Sequence, residues 1–214
     1  METLAPILFV VVFAAIVGLV AWLFLRSRRR EQTMRDEEVG GELARLAAGR
    51  GWIFEQENVG YADRFTGYPF SQHLRERRSR ELVTGTHRGW EFGAFQYSPR
   101  PMQDPGERQQ YFRYFRVFAI RLPAPRPTLQ LTPKGAGEYK VNTDDDRFAA
   151  YVLTEPVKRW LAEDPRAPRY RVRFERDELI AWYEQKDRFA PAELDMGLDF
   201  LCDLLDRVPR EALR

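Results

Sequence analysis

The chain has 214 residues, 34 of them basic and 32 acidic, for a net charge of +2 near neutral pH. So even a balance excludes the whole-domain basic field that nucleic acid demands, and a single cysteine excludes an intrachain disulfide framework. With 44% hydrophobic residues the chain has material for a sizeable core.

From Leu4 to Leu25 no residue is charged, and Arg26, Arg28, Arg29 and Arg30 follow almost at once. That run would make a helix of roughly 33 Å, against about 30 Å for the hydrocarbon layer of a bilayer. Trp22 stands where an amphipathic ring suits the headgroup zone, and Pro6 falls in the first turn, where its missing donor costs little. A cleaved signal peptide needs a basic start, a shorter apolar core and a small-residue cleavage site, whereas this run ends in Trp22, Leu23, Phe24 and Leu25. The expectation is a retained anchor over residues 1–25 in the plasma (inner) membrane. Arginines stay on the cytoplasmic side, which places the N-terminus outside. A charged stem over 26–41 and one cytosolic domain over 42–214 complete the expected organisation.

Leu43, Leu46 and Ala47 have helical spacing and predict a short helix ending at Gly49 or Gly51. Trp52 to Glu55 reads as a strand, and Gly60 to Phe70 as a turn-rich aromatic loop. Leu82 to His87 and Trp90 to Tyr97, joined by Arg88-Gly89, predict a hairpin. Pro99 to Gln110 has the turn formers of a long loop. Tyr111 to Leu122 carries large residues on both alternating faces, as a strand covered on both sides would, and Pro123, Pro125 and Pro127 are expected to end it. Leu129 to Thr132 and Tyr139 to Asn142 predict a second hairpin, and Asp144 to Asp146 can cap a helix bearing Phe148, Tyr151 and Val152. Thr154 and Pro156 start a helix with Val157, Trp160 and Leu161 on one face. A third hairpin is expected from Arg169 to Glu175 and Leu179 to Glu184, turning at Arg176-Asp177-Glu178. Pro191 opens a last helix with Leu194, Leu198, Leu201, Leu205 and Val208 in one stripe. The fold class that follows is α+β: one N-terminal transmembrane helix, then a domain with a largely antiparallel sheet and a C-terminal helix.

Four features together suggest a known kind of protein: the apolar run with trailing arginines, Tyr61-Ala62-Asp63-Arg64-Phe65-Thr66-Gly67-Tyr68-Pro69-Phe70, Val83-Thr84-Gly85-Thr86-His87-Arg88-Gly89, and a terminal helix running into Asp206-Arg207-Val208-Pro209. On these the chain resembles an uncharacterised family of bacterial single-pass membrane proteins. The resemblance implies a cytosolic α+β domain on one anchor and brings no catalytic residues with it.

Motifs for chemistry are sparse. Arg88 to Phe95 approaches an RNA-recognition strand, with Trp90 and Phe92 as a stacking surface, but Glu91 and Gly93 occupy two positions where the signature needs other residues. A hairpin with both rings in a core explains the same residues, and nucleic acid is not expected as a partner. Arg75, Arg77, Arg78 and Arg80 form the densest basic patch beyond the first arginines, suited to anionic lipid headgroups or a protein partner, though Glu76 and Glu81 interrupt it. Asp195, Asp199 and Asp203 share one helix face with Asp206 near it, where a solvated face is expected rather than a metal site. There is no nucleophile elbow or phosphate loop, and Cys202 is expected to be buried in the last helix. The function expected is a membrane-tethered, non-enzymatic binding or scaffolding module without cofactor or metal. The alternatives are an enzyme whose site is assembled from distant residues around His87 and the carboxylates, and RNA binding through the 88–97 hairpin.

Overall fold

Leu43 and Ala47, one helical turn apart and both fully buried, dock a helix over 41–49 (α1) against the domain. Gly51, in the left-handed conformation, follows it and turns the chain into the first strand. The computed structural model describes residues 41–70, 74–101, 114–135, 137–185, 187 and 189–213, all within the unit Gly40–Arg214.

Six strands form one antiparallel sheet: β1 (Ile53–Val59), β2 (Leu74–His87), β3 (Trp90–Pro101), β4 (Phe115–Gly135), β5 (Glu138–Thr143) and β6 (Arg171–Glu184). β1, β2, β3 and the first half of β4 are neighbours in chain order. The second half of β4 pairs with β5, and β6 runs antiparallel to both halves of β4. Between β5 and β6 lie α2 (Asp146–Val152) and α3 (Glu155–Glu163), and α4 (Pro191–Arg207) follows β6. Asp145 caps α2 by accepting hydrogen bonds from the amides of Arg147 and Phe148, as expected from the acidic run. The expectation of an α+β fold with an antiparallel sheet and a C-terminal helix therefore holds.

Both faces of the sheet are covered, by different means. On one face the four helices bury Phe118, Ile120, Val172, Phe174, Leu179 and Ala181 beneath Leu43, Val152, Val157, Leu161, Leu194, Leu198 and Leu201. On the other, a short 3-10 turn at Tyr61–Arg64 and the segment running on to Phe70 cover Leu82, Phe95, Tyr97, Phe115, Val117, Ile180 and Trp182. β4 supplies alternate residues to the two cores, which explains its unbroken apolar composition.

Three expectations need correction. No helix among the described residues is long and apolar enough to cross a membrane. The longest of them, α4, has 17 residues and so extends about 25 Å, and it carries Asp195, Asp199 and Asp203 along one side. A transmembrane, single-pass architecture is thus without support in the structure. The run Leu4 to Leu25 and its arginines Arg26, Arg28, Arg29 and Arg30 lie outside the described residues.

The proline series does not end β4, which runs unbroken for 21 residues. Between Arg121 and Leu129 neither β3 nor β5 pairs with it, and β6 pairs only at Arg126. Pro123, Pro125 and Pro127 therefore sit where few backbone donors are needed. The third expected hairpin is a single strand. Arg176 takes a left-handed conformation (φ 53°) and inserts a bulge, after which β6 continues along β4. The bulge inverts the alternation, so Val172 and Phe174 face the helices while Ile180 and Trp182 face away. Glu81 (φ 51°) does the same in β2, between Arg80 and Val83.

Candidate functional site

The segment 60–70 covers only part of the helix-free face. Arg173 holds it down: buried, it donates to the carbonyls of Tyr68 (3.0 Å) and Thr66, pairs with Glu175 at 3.0 Å and lies 5.1 Å from the centre of the Trp182 ring. Burial lowers the pKa of Arg173, with Glu175 opposing that shift. The aromatic stack of Phe65, Phe70, Phe95 and Tyr97 fills the space beneath. Where this cover stops, at the Tyr61–Arg64 turn, the same face opens into a pocket of about 340 Å³.

Alternation along the strands decides what lines it. Thr84 and Thr86 come from β2, Glu91 and Gly93 from β3, Ala119 and Arg121 from β4, and Glu178 from β6, with Tyr61 and Arg64 forming the wall from above. Gly93 is required here, because a Cβ at that position would stand 2.7 Å from Cζ of Tyr61 and closer still to its hydroxyl. Glu178 is only 5% exposed. Burial raises its pKa above the ordinary carboxylate value, and the nearby Arg64 guanidinium works against that rise. Arg64 Nη2 lies 2.5 Å from Glu178 Oε1, in ion-pair contact. Arg64 also lies 4.9 Å from the Tyr61 ring centre, and Arg121 pairs with Asp177 at 3.3 Å. The site thus gathers hydroxyls, two guanidiniums and two carboxylates around a floor of small residues.

The residues singled out by sequence go elsewhere. Phe92 is buried, edge-on to Trp52 at 4.8 Å, and Trp90 packs partly buried against the helix-side core, so neither ring offers an open stacking face. In the basic patch, Arg78 pairs with Glu57 at 2.7 Å, and Arg77 donates to the Phe65 carbonyl and approaches Asp63 at 3.8 Å. Arg80 lines a smaller polar recess with Gln56, Glu57, Glu81 and Gln96. The backbone of Arg75 lies in β2.

The aspartate stripe of α4 keeps the solvent exposure expected of it and is also an ion ladder. Asp195 takes Arg50, Asp199 takes His87 at 2.8 Å, Asp203 takes Arg88 at 2.7 Å and Arg166 at 2.6 Å, and Asp206 takes Arg88 at 2.5 Å. Desolvation acts to raise the Asp203 carboxyl, but the hydrogen bonds from Arg166 and Arg88 outweigh it and hold the group below the usual range. No group of three or more His, Cys, Asp and Glu among the described residues is placed to hold a metal ion.

His87 does come together with Asp199 and Cys202, which lie 112 and 115 positions further along the chain on α4. Their geometry is not that of a nucleophile and base, because Cys202 Sγ faces the backbone carbonyl of His87 at 4.0 Å while the ring is turned to Asp199. Burial pushes the Cys202 thiol up to about 11, which keeps it protonated at neutral pH. Another buried charge, Arg116, is also taken: it donates to Gln96 Oε1 at 2.9 Å and pairs with Glu193 at 3.2 Å, and Glu193 accepts from Tyr183 at 2.7 Å. Sequence reading missed the pocket because its lining comes from four strands and a turn, and because Gly93 and Glu91 there look like defects in a different motif.

No protein-family model matches the chain, and no curated protein matches it. Among solved structures the chain is similar to the mycobacterial trehalose monomycolate transport factor A, TtfA, with a TM-score of 0.59 over 80% of this chain and 96% of that one. Identity is 16%, so the likeness speaks for the fold alone.

Proposed function

We propose that this domain is a non-catalytic binding module that works through the pocket on the helix-free face of its sheet. The observation that carries the reading is a contrast in polar groups. The side chains best suited to catalysis are engaged or protonated, Cys202 by burial and His87 by Asp199, whereas the pocket presents Thr84, Thr86, Glu91 and Arg121 at its open side. Concave sites with a few converging polar groups are the usual places for recognition. The neighbour of similar fold is named a transport factor, and an accessory role in holding and handing on a ligand suits a module of this kind.

Site-specific photo-crosslinking tests it. A benzophenone amino acid at Thr86, in the pocket, is expected to give discrete adducts in cells of the native host. The same group at Tyr151, exposed on α2, is expected to give none. Adducts from Tyr151 alone, or none from Thr86, would refute the proposal.

A further inference from the structure

The geometry points to a neutral polyhydroxylated ligand, the size of a mono- or disaccharide, as what the pocket takes; this rests on the pocket being the working site. Its lining holds two arginines and two glutamates, Arg64, Arg121, Glu91 and Glu178, so its formal charge is zero. Both arginines also stand in ion pairs. Arg64 is spent on Glu178 at 2.5 Å, and Arg121 on Asp177 at 3.3 Å. At the opening an anion drawn to Arg121 meets Glu91, and a cation drawn to Glu91 meets Arg121, so neither sign of charge is favoured there. A neutral ligand with many hydroxyls meets no such conflict.

What the site offers in quantity is hydrogen bonding in both senses. Guanidinium groups only donate and carboxylates only accept, while the hydroxyls of Thr84, Thr86 and Tyr61 do both. A sugar hydroxyl, being donor and acceptor at once, matches this mixture of partners. The rim adds the other requirement of a sugar, a surface for its C–H face. Ile53 lies directly across the β1–β2 ladder from Thr84, on the same side of the sheet, and is 64% exposed. The volume of about 340 Å³ stands at the small end of ligand sites, room for a ring rather than an extended chain.

The test is amide chemical-shift titration of the full chain with glucose, maltose and sucrose, alongside citrate and putrescine as charged probes. Saturable shifts at the amides of Thr84, Thr86, Glu91 and Gly93 are expected with at least one sugar and with neither charged probe. The double substitution Thr84→Val, Thr86→Val keeps β-branched side chains on the strand and removes two hydroxyls. It is expected to weaken that sugar roughly ten-fold, as two lost hydrogen bonds would, with the rest of the amide spectrum unchanged. No saturable sugar shift at these amides, tighter binding of citrate or putrescine there, or undiminished affinity in the double variant would each overturn the inference. Charged-probe binding in the pocket would leave the binding module standing with a different ligand class. The crosslinking from Thr86 depends on no chosen probe and fails or succeeds separately.

Discussion

Gly93→Ala is a sharp probe of how the pocket is built. The new Cβ would lie 2.7 Å from Cζ of Tyr61 and closer still to its hydroxyl, where ordinary contact begins at 3.4 Å, so the side chain must retreat by well over 0.7 Å. It cannot do so quietly, because Tyr61 is edge-on to Phe95 at 5.4 Å and stacks beneath Arg64 at 4.9 Å. An aromatic pair contributes about 0.5–1.5 kcal/mol and a partly exposed cation–π contact about 0.5–1, so weakening both gives a cost of about 1–2 kcal/mol. For a unit of this length that corresponds to a fall in Tm of roughly 2–8 °C. Urea and thermal unfolding of wild type, Gly93→Ala, Tyr61→Ala and the double variant form a cycle. If the clash is the cause, removing Tyr61 first makes Gly93→Ala nearly free, and the double variant costs about 1 kcal/mol less than the sum of the singles. Strict additivity would refute the reasoning, since it would mean that the ring and the glycine do not meet.

Three further outcomes follow from the packing and charges. Gly197→Ala puts a Cβ 2.6 Å from Cζ of the fully buried Phe118 ring, which is boxed in by Tyr170, Tyr183 and Phe189; chemical denaturation should show a loss of about 1–3 kcal/mol, and an unchanged midpoint would show that α4 does not pack so closely on β4. Asp203 and Asp164 are held below their ordinary pKa, Asp164 chiefly by hydrogen bonding from Arg166. Their contribution is complete above the unfolded carboxylate value of about 3.9 and disappears as pH falls through the lower folded values. Urea midpoints of wild type and Asp203→Asn should therefore differ at pH 7 and converge in strong acid, and a constant gap across that range would count against the ion ladder. Cys202, buried with its thiol up at about 11, should resist iodoacetamide at pH 8 in the native protein and react once urea unfolds it; labelling at the rate of a free thiol would mean that α4 does not cover it.

The likeness to the TtfA structure at 16% identity is what a fold defined by burial pattern rather than by a motif produces. Hydrophobic alternation and turn chemistry survive sequence divergence better than any single side chain, and a pocket lined by small residues and ordinary polar groups leaves no recognisable signature. Its residues become meaningful only when the sheet places them side by side.

Local rules carried much of the architecture. The spacing of Leu43 and Ala47, the cap at Asp145, the Thr154-Pro156 start, the Arg88-Gly89 turn and the leucine stripe of α4 each determine an element through short-range geometry, and each is where the sequence alone puts it. Only the tertiary structure decided the rest. Arg176 has the same left-handed backbone whether it ends a strand or bulges it, and the continued pairing of β6 with β4 settles that choice. Pro123, Pro125 and Pro127 break a strand only where neighbours need their missing donors, and here they fall between β3 and β5. The aspartates of α4 do lie on a solvated face, but only the fold brings Arg50, His87, Arg88 and Arg166 from other elements to meet them. The pocket at Gly93 belongs to the same class, because periodicity along one chain shows which face a side chain takes but not which distant residues share that face.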